Sequence, residues 1–248
     1  MRETGSYRQL DQSQIGQTLR RLRDRIAERF PGSGLSNVAG ELVLLSDEAF
    51  DCVAYLRKPN WPIRVAVGVV IATMIVVVGL GALSIRVSSR VNSVSELVQT
   101  LDASINDVVF LAIAIFFLVT LEARLKRRKA LGSLQQLRSI VHIVDMHQLT
   151  KDPERLMSPQ PDTSSSPARP MTGPELGRYL DYCSELLSLT SKIAASFVQS
   201  FNDPVVLSTV NEIETLVTGL SGKIWQKITL LERATRVDET VPASRSRS

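Results

Sequence analysis

The chain has little of what chemistry is usually built from. Of its 248 residues, two are cysteine and two are histidine. It has no His-Glu-x-x-His helix, no cysteine pair, no glycine-rich phosphate loop and no grouped carboxylates. Each absence removes a class: zinc hydrolysis, thiol redox chemistry, phosphoryl transfer and paired-carboxylate acid–base work lack their usual residues. Cys52 and Cys183 sit in helical patterns among apolar neighbours, which favours buried free thiols over a redox or metal role. His142, Asp145 and His147 are the one group resembling a metal or acid–base cluster. On a helix His142 and Asp145 share a face while His147 points elsewhere, so a structural role is expected. No catalytic, cofactor-binding or metal-binding residue is assigned, no cofactor is implied, and the chain reads as a non-enzyme.

What the chain does have is two apolar runs, residues 65–85 and 108–121, separated by 22 residues. A bilayer core of about 30 Å needs roughly 20 residues of helix, because every backbone polar group must be satisfied internally. The first run meets this with only Thr73 and Ser84 polar. The second, uncharged over 14 residues between Asp107 and Glu122, would span about 21 Å and relies on local thinning of the bilayer or snorkelling of its flanks. Phe110, Phe116 and Phe117 are too apolar for a solvated face. Trp61 and Pro62 suit the first turn of the first span, as an interfacial anchor and a residue whose missing N–H costs nothing there. With only Thr73 polar near the bilayer centre, the hairpin by itself makes a poor conducting path.

The formal charge is +4, and its location decides its meaning. Residues 1–60 carry nine basic and eight acidic side chains, residues 130–248 twelve and thirteen, and residues 61–129 eight and four. The excess therefore belongs to the apolar segment and its flank, which points to membrane lipids and topology rather than nucleic acid. Arg57, Lys58 and Arg64 precede the first run, and Arg124, Lys126, Arg127, Arg128 and Lys129 follow the second. The connecting stretch holds only Arg86 and Arg90 against Glu96, Asp102 and Asp107. The positive-inside bias predicts both termini in the cytoplasm, and the run 124–129 is a lipid-headgroup or topology determinant. Arg64 with Glu122, and Arg86 with Asp107, are placed to pair across the two helices at opposite interfaces. The first 60 residues are hydrophilic, so no cleavable leader is expected and the first span inserts the chain.

The periodicity predicts an all-α protein: a transmembrane helical hairpin with cytoplasmic helical hairpins and a long stalk helix continuing the second span. Residues 1–60 read as an N-terminal helical hairpin, with Ile15, Leu19, Leu22, Ile26 and Phe30 on one face of the first helix and Leu35, Val38, Leu42, Leu45, Phe50, Val53 and Leu56 along the second, broken at Pro31-Gly32. Residues 61–129 form the membrane hairpin, with spans at about 63–86 and 105–123. Val87, Val91, Val94, Val98, Leu101, Ile105 and Val108 make a heptad seam that needs a partner, either a second copy of the chain or the end of the first span. Residues 130–150 extend the second span as a stalk, so that Ile105 to Leu149 is one helix about 67 Å long. Residues 151–171 are a Pro/Ser-rich linker. Residues 172–233 are an antiparallel hairpin opened by the capping pattern Thr172-Gly-Pro-Glu175. One helix of it carries Leu176, Leu180, Cys183, Leu187, Thr190, Ala194, Phe197 and Phe201, the other Val206, Val210, Ile213, Val217, Leu220, Ile224, Ile228 and Leu231. Residues 234–248 are expected to be a disordered tail.

At Phe30-Pro-Gly-Ser-Gly-Leu35, Arg57-Lys-Pro-Asn-Trp-Pro62, Asp145-Met-His-Gln-Leu-Thr-Lys-Asp-Pro153, Leu180-Asp-Tyr-Cys-Ser-Glu-Leu-Leu187, Asn211-Glu-Ile-Glu-Thr-Leu216 and Lys223-Ile-Trp-Gln-Lys227 the chain resembles an uncharacterised bacterial family of two-span inner-membrane proteins. The resemblance implies an inner-membrane setting and carries no activity. The expected function is a non-enzymatic scaffold or signal-transmitting membrane anchor acting through cytoplasmic helices, as a homo-oligomer or with a protein partner. The alternative is an accessory subunit of a transporter or channel.

Overall fold

The computed structural model describes residues 9–88, 94–151, 153 and 171–240, without the side chains of 78, 81–88, 94–104, 107 and 234–240. Apart from turns, the described residues are helical: α1 (Gln12–Arg29), α2 (Gly34–Arg57), α3 (Trp61–Ser88), α4 (Val94–Leu149), α5 (Gly173–Ser200) and α6 (Pro204–Thr240). No strand occurs among them. They divide into two compact units, one of residues up to Arg57 and from Lys129 on, the other Lys58–Arg128.

Local chemistry sets the helix ends. The Asp11 carboxylate accepts from the backbone N–H of Ser13 at 2.8 Å and of Gln14 at 3.3 Å, capping α1. Gly32, at φ +67°, makes the turn out of α1 that a side chain would resist. Ser33 Oγ then accepts from Ser36 N at 3.2 Å and starts α2, which Pro59 stops. Glu175 accepts from the N–H and hydroxyl of Thr172, at 2.8 and 2.9 Å, opening α5. Asp203 Oδ1 accepts from Val205 N and Val206 N at 3.0 and 3.2 Å, opening α6 directly after α5 has ended.

The first unit has one core, to which α1, α2, α5, α6 and the 130–144 part of α4 all contribute. Leu19, Leu22, Leu42, Val53, Leu134, Leu137, Leu187 and Ile213 are completely buried in it. The N-terminal and C-terminal hairpins, separate segments in the sequence pattern, therefore do not fold apart. The reason lies in α5, which buries a second stripe beside the one that meets α6: Tyr179, Tyr182, Leu186, Leu189 and Ile193. Phe30 packs edge-on against both tyrosines of that stripe, at ring distances of 5.4 and 6.2 Å, and Arg25 pairs with Glu185 at 2.7 Å. The arginines of α1 are the solvated rim of this packing, with Arg20 also paired to Asp47 at 2.6 Å.

Two further differences from the sequence reading concern helix ends. α6 continues to Thr240 instead of giving way to a tail at 234, since the first helix breaker beyond Leu231 is Pro242. α4 begins at Val94, ahead of the expected start of the second span. The 151–171 linker other than residues 151, 153 and 171, the side chains of the heptad seam up to Leu101, and the tail past 240 lie outside the described residues.

In the second unit the apolar side chains are on the surface. Two helical stretches are long and apolar enough to cross a membrane, one ending at Val77 and one beginning at Val108, and their apolar windows are wholly unburied. Phe110 and Phe116 are 70% and 66% exposed, and Val65, Val69, Val76 and Val77 are exposed in α3. A helix of a soluble core hides such residues; here they face outward.

Candidate functional site

Where α3 begins, Pro59 breaks the helical ladder over a short connector, whose carbonyls at Pro59 and Asn60 accept from Trp61 N and Arg64 N at 3.1 and 3.0 Å. The Glu122 carboxylate from α4 takes up an N–H of this connector, accepting from Asn60 N at 3.1 Å. It also accepts from Arg64 Nε at 2.7 Å and from Lys126 Nζ at 2.9 Å. Lys126 Nζ donates in turn to the Lys58 carbonyl at 2.8 Å. One carboxylate thus ties the first turn of α3 and its connector to α4, and Lys126, 7% exposed, is consumed in that clamp. With three donors on its oxygens, Glu122 is held as a charged anchor and has the chemistry of a fastener.

The rest of the basic run divides by what each residue touches. Arg124 lays its guanidinium over the Phe117 ring, 4.8 Å from the centroid. Lys129 places its ammonium 4.2 Å over the Tyr55 ring. Arg127 is half-buried and Arg128 is exposed. The side chains of Arg86 and Asp107 lie outside the described residues.

A second polar cluster closes the C-terminal end of α4. Lys227 Nζ donates to the Gln148 carbonyl and to Gln148 Oε1, both at 2.9 Å, and to the Lys151 carbonyl at 3.3 Å. A cation here satisfies carbonyls that no helical N–H can reach and complements the negative end of the helix dipole. Gln148, 1% exposed, passes the network on through Nε2 to Asp145 Oδ1 at 2.6 Å. The ring of His147 lies against Gly34, the first residue of α2, while His142 is exposed. The three residues of the sequence cluster therefore go separate ways, and no group of three metal-binding side chains occurs among the described residues. Cys183 and Tyr179 lie near this network. Burial pushes the Cys183 thiol up to about 12, outweighing the opposite pull of Lys227 and Lys151, so it stays protonated and inert. Burial likewise raises the Tyr179 phenol.

Sequence reasoning did not find Lys227, Gln148 or Tyr55. Lys227 is one lysine in a helix of mixed polarity, and only the arrival of a helix end beside it gives it work. Nor did it find the open groove of about 440 Å³ between the start of α5 and the later part of α6, bordered by Pro174, Arg178, Asp181, Trp225 and Leu231. Comparison of the chain with protein-family models, with curated proteins and with solved structures finds no match.

Proposed function

We propose that the chain is a multi-pass inner-membrane protein without catalysis of its own, a scaffold or signal-transmitting anchor. In this reading α3 and the apolar part of α4 form the membrane hairpin with both termini cytoplasmic. The remainder of α4 is its stalk, and the helical unit is the part that meets a second copy or a protein partner. The two-span family the sequence resembles belongs to the same reading. The observation that carries it is the double character of α4. A single helix presents Phe110, Ile113, Phe116 and Phe117 outward and, further along, buries Leu134, Leu137, Val141 and Val144 in the shared core. A protein that only needed a tether has no reason to make its anchor a structural member of the soluble unit. The Glu122 clamp supports the reading, since it fixes the neighbouring start of α3 to the same helix.

Two measurements test it. In cells bearing single reporter cysteines on a Cys52→Ala, Cys183→Ala background, a membrane-impermeant maleimide should label Ser104→Cys in intact cells and Leu149→Cys only after lysis. Chemical crosslinking in intact membranes should then recover the chain with itself or with a defined protein. Labelling of Leu149→Cys in intact cells sinks the topology, and a strict monomer without crosslinked protein sinks the scaffold role.

A further inference from the structure

The contacts of the basic run leave two arginines for an external anion. Lys126 is spent on Glu122 and Lys58, and Lys129 sits on Tyr55. Arg124 and Arg128 are both exposed and, among the described residues, neither has a carboxylate within salt-bridge distance. One helical turn apart, they project from the same side of α4. That side is also the one on which Phe110, Ile113 and Phe117 stand exposed: at 100° per residue, positions 110, 113, 117, 124 and 128 fall within about 60° of one another. Lys126 and Lys129 lie off this face.

The Arg124 side chain shows how the charged and apolar parts are joined. Its guanidinium folds back toward the helix N-terminus over Phe117 instead of reaching away from the apolar stretch. A fixed positive charge therefore hangs over the last aromatic ring of an exposed apolar stripe, with a second guanidinium one turn behind it. An amphiphile with a negative head and a hydrocarbon tail has the matching order of parts.

We infer that this face of α4 is a binding site for one anionic phospholipid, its phosphate held by Arg124 and Arg128 and an acyl chain laid along Phe117, Ile113 and Phe110. The inference rests on the membrane reading above and deepens it. Guanidinium is the appropriate cation, because its planar fork donates two parallel hydrogen bonds to a phosphate and its face still stacks on the ring. Phosphatidylcholine carries the same tail and phosphate but also a quaternary ammonium, which these two arginines repel, so the site discriminates by headgroup charge.

The test uses the full chain. Alkaline carbonate washing of membranes first establishes whether the chain is integral; release into the wash overturns the membrane reading and this site with it. For an integral chain, purified protein in mild detergent is titrated with equimolar phosphatidylglycerol and phosphatidylcholine, and bound lipid is counted by native mass spectrometry. Each basic residue at a membrane surface is worth about fivefold, so phosphatidylglycerol should be favoured by about 30-fold. Arg124→Gln with Arg128→Gln, which keeps most of both apolar stems, should bring the preference to near unity. Arg124→Lys with Arg128→Lys should keep a reduced preference. Arg21→Ala with Lys223→Ala, an equal loss of charge at exposed sites on the helical unit, should leave it unchanged. No preference in the unaltered chain overturns the site, as does an undiminished preference in the glutamine variant or an equal loss in the control.

Discussion

At the scale of single residues, Gly34 has the closest neighbour of the described glycines. It is not at a positive φ, so what a side chain meets there is a neighbour rather than backbone strain: a Cβ would overlap the His147 ring, which must move to admit it. Gly34→Ala should lower stability by about 1–3 kcal/mol, the usual cost of overfilling a packed contact. Adding His147→Ala should restore most of it, since removal of the ring makes room for the methyl group. The midpoint of chemical unfolding of the helical unit reads both; a single variant as stable as the parent would show that the ring has somewhere else to go. The same contact explains why the His-Ile-Val-Asp-Met-His stretch misleads as a sequence. Its residue types suggest ligation, but one imidazole is spent on packing, the other is in solvent, and the carboxylate holds Gln148.

At the scale of elements, the end of α4 depends on a residue from another helix. Lys227→Met keeps the length and removes the charge, taking this donor from Gln148 Oε1 and the Lys151 carbonyl, while the Gln148 carbonyl keeps the Lys151 N–H at 3.1 Å. Buried acceptors left unpaired cost about 1–3 kcal/mol, so the thermal midpoint should fall, and amide exchange should quicken first at residues 145–149. Uniform exchange along α4 would place the cost elsewhere. Elements were also where the sequence was most legible. The apolar faces of α1 and α6 can be read at intervals of three and four, and every residue of the α6 face, Val206 to Leu231, is buried. α5 was half legible. Its Leu176-to-Phe197 stripe accounts for a hairpin with α6, and once one face is explained the pattern gives no cause to seek another. The second stripe contains Tyr179 and Tyr182, whose hydroxyls read as boundary residues until Phe30 is found against their rings. At the Glu122 clamp the charged partners carry a signal in the sequence. The N–H of Asn60 and the carbonyl of Lys58 do not, because every residue has such groups and only the break at Pro59 frees these.

At the scale of the whole molecule, a chain with mean hydropathy of only +0.07 conceals two unlike surfaces. Among the described residues, 9–57, 129–151 and 171–233 hide most of their apolar side chains from solvent, while those between 58 and 128 display theirs. The helical unit should therefore survive removal of that stretch. The Lys129 ammonium on the Tyr55 ring puts the two cut ends within reach of a short bridge, and about eight Gly/Ser residues extend up to about 26 Å. A chain with 58–128 replaced by such a bridge should be soluble without detergent, helical by circular dichroism and cooperative in unfolding. Aggregation, or a gradual melt, would mean that the unit borrows stability from the segment removed.

Because that unit is assembled from two stretches of sequence, its history on the ribosome differs from that of a continuous domain. When α1 and α2 have been made, the side chains of Leu19, Leu22, Leu42 and Val53 have no α5 to cover them. At 5–20 residues per second, α5 is complete only on the order of ten seconds later, after residues 61–123 have emerged. The two stretches apolar enough to cross a membrane therefore leave the ribosome before the bundle can close. A nascent N-terminal hairpin must wait half-covered in the meantime, which makes this interval the point in the protein's life at which chaperones have most to do.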